Sequence, residues 1–109
     1  MTMTHISIDG CQITDWPSFY QVFSDAFGFP AFFGHSMDAW IDCMTNLDEE
    51  FNRVQIKQGE LVCINIEQAA VFKAKSPKQY QELIECAAFV NWRRLEIGEP
   101  PILILAFNA

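Results

Sequence analysis

Two apolar runs, LVCINI at Leu61 to Ile66 and ILILAF at Ile102 to Phe107, constrain this chain more than anything else in it. Both have strand length, and neither shows the polar alternation of a strand with one wet face. They therefore read as strands of a sheet covered by helices on both faces. Between them Ser76 and Gln79 make a capping-box pair, with Pro77 at the first helical position. From there Tyr80, Leu83, Ile84, Ala87, Val90 and Leu95 line one face of a long helix that ends near Gly98, while Phe89 and Trp92 fall on the other side. A strand, a helical crossover and a second strand imply parallel pairing with a right-handed connection.

A third strand is expected at His5 to Ile8, before the Asp9-Gly10 turn. Thr14 and Asp15 then offer N-cap oxygens and Pro17 a first-turn residue, and Phe19, Val22, Phe23 and Ala26 recur at helical spacing up to Gly28. After the Pro30 to Gly34 break, Ser36 caps a second helix. On a wheel of about 100° per residue, Met37, Trp40, Ile41, Met44 and Leu47 share an arc of roughly 120°. Asp38, Asp42, Thr45 and Asn46 lie on the other side, toward solvent or a partner. Asp48 to Glu60 reads as a polar loop, Glu67 to Phe72 as a short helical piece, and Lys73 to Ser76 as a connector. The order is β, α, α, β, short α, α, β: one α/β domain over residues 1–109 with a three-stranded parallel sheet. A chain of 109 residues, half of them hydrophobic and ten of them Phe, can bury one core without staples.

The charge is lopsided. From Met1 to Asn52 there is no Lys or Arg, against eight acids; the remainder carries all seven basic residues and six acids. A net charge of −7 repels nucleic acid and favours a basic protein partner, with association steered at low salt. No apolar run reaches the roughly 20 residues that span a bilayer, and MTMTHISIDG has neither a basic nor an apolar leader segment, so a cytoplasmic chain without membrane attachment is expected. Cys11, Cys43, Cys63 and Cys86 lack metal-ligand spacing and are expected to be buried free thiols. No Gly-rich phosphate loop, HExxH or GxSxG occurs, which speaks against an enzyme, and neither a cofactor nor a metal is implied.

The stretch FFGHSMDAWIDC sets Asp38 and Asp42 four residues apart on one helix. Like charges at that spacing repel by a few tenths of a kcal/mol. Asp38 sits in the first turn, where the helix dipole favours an anion, but Asp42 has no such local support. Both must also lie outward, unclaimed by the chain's own Lys and Arg, if they are to meet a partner. Arg93 and Arg94, in the last turns of the long helix, are accounted for by its dipole.

The run FGFPAFFGHSMDAWIDCMTNL resembles the barstar family, small intracellular inhibitors that bacteria keep against a ribonuclease of their own. Phe32, Phe33, Gly34, Asp38, Ala39, Asp42 and Cys43 fit the family pattern of two aromatics, Gly and an acidic helix. The resemblance implies a barstar-like fold, with helices packed around the three-stranded parallel sheet, and no catalysis. It further implies that Asp42 enters a nuclease active site in place of a substrate phosphate and that Asp38 pairs with basic groups nearby. Phe32 and Phe33, in the loop closed by Gly34, would stack on the enzyme, with Ser36, Ile41, Thr45 and Asn46 in the contact zone. The expected partner is a basic ribonuclease or nuclease toxin, and the expected free state a monomer or weak dimer.

The chain departs from the family pattern at several points. Phe stands where the aromatics usually carry hydroxyls, Leu47 where the type member has Trp, and Arg93 and Arg94 where it has a further acid. These differences point to a target other than the type member's own ribonuclease. Two other functions fit the same fold. An interaction or regulatory module would work through an exposed Phe89 and Trp92 patch, whereas a ligand carrier would need a large apolar cavity near the strand ends.

Overall fold

The computed structural model describes residues 3–29, 36–47, 56 and 59–109. Strand β1 (Met3–Asp9) leads through a short 3-10 turn to helices α1 (Trp16–Phe27) and α2 (Met37–Thr45). Strand β2 (Leu61–Glu67), helices α3 (Ala69–Lys75) and α4 (Pro77–Glu96), and strand β3 (Leu103–Phe107) complete it. The three strands form one sheet in the order β1-β2-β3, and both pairings are parallel, as the crossovers require. No helix of the described residues is long and apolar enough to cross a membrane.

The register sets Ile6 beside Ile64 and Ile8 beside Ile66, with Leu103 and Leu105 following on from Val62 and Ile64. Ile8, Val62, Ile64, Ile66 and Leu103 belong to the main core, together with the buried faces of α1, α2 and α4. The opposite sheet face carries Met3, His5, Ser7 and Ile104, all exposed. The expected cover of helices on both faces is therefore corrected. The apolar run of β2 looked continuous because Cys63, on the outer face, is small enough to be screened by its strand neighbours His5 and Ile104. Asn65, two residues on and half-buried, is the polar mark of that face, its amide nitrogen 3.3 Å from His5 Nδ1.

Helix α1 starts on Asp15, whose carboxylate accepts from the Ser18 N–H at 2.9 Å while the Ser18 hydroxyl accepts from the Asp15 N–H at 3.0 Å. The Ser18 backbone N–H, and after it the Ser18 hydroxyl, hold the Asp15 carboxyl below the usual aspartate range. Because the shift is downward, the cap contributes above the unfolded-chain pKa and loses its contribution as pH falls through the folded one. Gly28, left-handed at φ 65°, ends the helix. Phe19, Phe23 and Phe27, one turn apart, form its fully buried stripe.

The expected end of the short helical piece moves. Helix α3 runs through Lys75, where a connector was read, and Ser76 serves at once as its end and as the start of α4. Ser76 is buried and makes no side-chain cap; its hydroxyl donates to the Ile13 carbonyl at 2.9 Å, 63 residues away in sequence. The capping-box reading fails because a buried carbonyl competes for that hydroxyl. Leu95, assigned to the inward face of α4, is exposed. The buried stripe Leu83, Ala87, Val90 continues one turn later in Arg94, and Leu95 is rotated about 100° away from it.

Three thiols, Cys43, Cys63 and Cys86, are buried, but Cys11 is exposed in the turn after β1, contrary to expectation. Burial, with Glu82 beside it, pushes the Cys86 thiol up to about 11, and burial also raises Cys43. The Asp9 carboxylate beside it raises the Cys11 thiol as well, so accessibility is what separates it from the others: native protein treated with a thiol reagent at pH 8 should release one equivalent first, from Cys11, and three more only on unfolding. Prompt release of more than one would contradict this packing.

Candidate acidic binding face on the second helix

Helix α2 has nine residues, fewer than the roughly 12–15 at which even favourable sequences become stable alone. Its own ends are capped: Ser36 Oγ accepts from the Ala39 N–H at 3.1 Å, and the Asn46 side-chain amide donates to the Asp42 carbonyl at 2.8 Å. Its main neighbour is α4, and its largest side chain packs on α1. Trp40 is fully buried against the phenylalanine stripe, with its ring 5.6 Å from Phe23, edge to face, and 6.5 Å from Phe19. Trp40 Nε1 finds no hydrogen-bond acceptor among the described residues. That orphan costs about 1–3 kcal/mol. Burying an indole of roughly 200 Å² contributes about 5 kcal/mol, so the wedge is net favourable.

The two arginines of α4 do something their local sequence did not suggest. Arg94 is buried and donates through Nη1 to the Thr45 carbonyl at 3.0 Å and through Nε to the Pro100 carbonyl at 3.2 Å. It thus satisfies the last turn of α2 and ties it to the segment entering β3. Arg93 donates to Asp42 Oδ1 at 2.9 Å. Both were read as partners of their own helix dipole; both serve α2 instead, 49 and 51 residues away. Asn91 completes this end of α4, its side-chain oxygen accepting from the Ile102 and Leu103 N–H groups and its amide donating to the Leu103 carbonyl.

With α2 fixed this way, its outward strip is narrow. Asp38 and Asp42 are exposed, Ala39 and Asn46 half-buried. Ile41 and Thr45, expected in a contact zone, are only 8% and 4% exposed, which corrects their placement. Ile41 packs in the core, and Thr45 turns its hydroxyl back to the Ile41 carbonyl at 2.6 Å. Position 45 lies on the edge of the buried arc, and the close approach of α4 widens that arc over it. Phe32, Phe33 and Gly34, together with Pro30 and His35, lie outside the described residues, as does most of the Asp48 to Glu60 segment.

The outward position expected of the two acids is found for both. The absence of an internal cation is found for Asp38 among the described residues, but not for Asp42, which Arg93 pairs. That pair is a surface one, with the Asp42 side chain 67% and the Arg93 side chain 38% exposed. A pair of this kind is worth about 0–1 kcal/mol, so an incoming cation can exchange with it at small cost.

A family model described as Barstar (barnase inhibitor) matches residues 3–103, nearly the whole chain. The chain belongs to the barstar family. No individual curated protein matches it. The family match covers all four helices and two of the strands completely, and it reaches the first residue of β3. Barstar-family proteins are inhibitors that bind ribonucleases, a protein partner. The α/β fold with its three-stranded parallel sheet is that of the family.

The two arginines should separate in a stability experiment. Arg94→Ala strands the buried Thr45 carbonyl of α2 and frees the part-buried Pro100 carbonyl, and should lower the urea unfolding free energy by roughly 2–4 kcal/mol. Arg93→Ala should cost no more than about 1 kcal/mol. Equal losses would mean that Arg94 is not the clamp described.

Proposed function

We propose that this barstar-family protein inhibits a basic ribonuclease or nuclease toxin by presenting the carboxylates of α2 to the site where the enzyme holds a substrate phosphate. The observation that carries this reading is the outward strip of α2, where Asp38 and Asp42 stand one turn apart on a helix locked to the core by Trp40 and Arg94. A site preorganised for phosphate also binds carboxylates at matching spacing, since both offer anionic oxygens to the same guanidinium and ammonium donors. Rigid support matters because little side-chain or helix entropy then remains to be lost on docking.

In this reading Asp42 takes the central position and the enzyme's cations replace Arg93 on its carboxylate. Asp38 pairs with basic groups at the rim of the cleft, and Phe32 and Phe33, beside Gly34, supply ring contacts. Ser36 and Asn46 frame the strip and hold its ends in helical geometry, while Ile41 and Thr45 act from within by setting the helix against the core. The acidic first half of the chain steers the encounter, so the association rate should fall as salt rises. The target is an enzyme other than the barnase of the type pair, because Arg93 adds a positive charge where that pair has an acid.

The test is capture from the native host by the wild-type protein and by a variant with Asp38→Ala and Asp42→Ala. Wild type should retain a basic protein whose RNA-cleaving activity it suppresses, and the double variant should lose it. Asp42→Ala alone should weaken binding by at least about 2 kcal/mol, some 30-fold, with thermal unfolding little changed. Equal retention by wild type and double variant would rule the mechanism out.

A further inference from the structure

Four large apolar side chains near the end of α4, Phe89, Trp92, Leu95 and Ile97, are exposed. Two of them form an ordered element. The rings of Phe89 and Trp92 stack with centroids 5.5 Å apart and planes at 24°, yet remain 44% and 53% exposed. They pack on each other while neither is sunk into the core, so the fold holds a two-ring plate toward solvent. Such a plate gives a partner a large rigid apolar contact at low conformational cost.

The plate adjoins the acidic strip. Arg93 follows Phe89 by four residues, which places the two as neighbours on the helix surface. The Arg93 guanidinium reaches Asp42 on α2 at 2.9 Å. Asp42 thus touches Arg93 across the seam between α2 and α4, and Arg93 lies one turn along α4 from Phe89, the first of the two stacked rings. Around the rings stand further exposed acids on α4, Glu85 one turn before Phe89 and Glu96 one turn after Trp92. An aromatic centre with a negative rim has the anatomy of a protein-binding hot spot. Its charge selects the occupant. A second copy of this chain, at −7, would bring the same acids against one another, whereas a basic protein would meet the rim with its own Lys and Arg.

We propose that the acidic strip of α2 and the Phe89–Trp92 plate of α4 are one continuous docking surface, bridged by Arg93, for a single basic protein. This rests on the inhibitor reading and extends its footprint: the acids enter the partner's cationic cleft while the plate covers an apolar shoulder beside it. The plate then sets which nuclease is accepted, since phosphate sites resemble one another and their shoulders do not.

The experiment uses the basic protein retained by the wild-type chain, purified, and titrated against wild type, Trp92→Ala, Phe89→Ala, Trp92→Phe and the Asp38→Ala, Asp42→Ala double variant. Trp92→Ala and Phe89→Ala should each weaken binding at least tenfold with unchanged thermal unfolding, and Trp92→Phe should restore most of the loss. In a Trp16→Phe background, acrylamide quenching of Trp92 should fall on complex formation. If the ring variants bind as wild type while the double acid variant fails, the inhibitor reading stands and the shared surface is overturned. If the ring variants fail and the acid variant binds normally, the plate works alone and both readings are overturned. Loss of a homodimer on Trp92→Ala, or retention of no basic protein by wild type, would likewise overturn the proposal.

Discussion

A nine-residue helix does not persist in water by itself, and the position of α2 is what the candidate site depends on. Trp40 wedges it into the Phe19–Phe23 stripe of α1, and Arg94 of α4 takes the Thr45 carbonyl at its far end. The two contacts are chemically unlike. The tryptophan supplies buried area without directional bonding, since its Nε1 has no acceptor among the described residues. The arginine supplies direction, holding both the last turn of α2 and the Pro100 carbonyl, so the end of α2, the end of α4 and the entry to β3 are fixed together. A carboxylate pair carried on such a support keeps its spacing when a partner arrives.

The electrostatics follow from the same arrangement. A half-chain without Lys or Arg would leave its acids to repel one another, but folding brings α4 alongside α2 and sets one guanidinium against Asp42. The repulsion between Asp38 and Asp42 is thereby eased at the member that lacks the helix-dipole advantage. The exposure of the pair keeps it weak enough to exchange. The inhibition proposed above would draw on this balance, since a buried pair would leave no carboxylate for an enzyme to bind.

The sheet shows how far a hydrophobic pattern can be read. The runs at Leu61 and Ile102 correctly announced strands, because each is too short for a buried helix, is rich in Ile, Leu and Val, and follows a Gly or Pro break. They misstated the layering. Cys63 reads as apolar but lies on the outer face, screened by His5 and Ile104, and only Asn65 betrayed it. Hydrophobicity alone does not tell a residue buried by a helix from one buried by the strands beside it.

The family pattern in FFGHSMDAWIDC, the Asp15 and Ser36 caps and the Phe19 and Phe23 positions of the α1 stripe were legible in the sequence, because each arises from interactions within a few residues or from a fixed period; the parallel sheet followed from the helical crossovers, while Val22 and Ala26, read on the inward face, are half-buried and Phe27 completes the stripe. The outward placement of Asp38 and Asp42 was legible for the same reason. Arg93 on Asp42, Arg94 on the Thr45 carbonyl, Ser76 on the Ile13 carbonyl, and the inward turn of Thr45 were not. Each joins or reflects groups set side by side only when the helices close on the sheet, and their local surroundings offered a sufficient explanation of a different kind: a dipole for the arginines, a cap for the serine, a solvent face for the threonine. Local periodicity determined the elements and which side of α2 is acidic; only the packing of α4 against α2 decided which polar groups are spent inside the molecule and which remain for a partner.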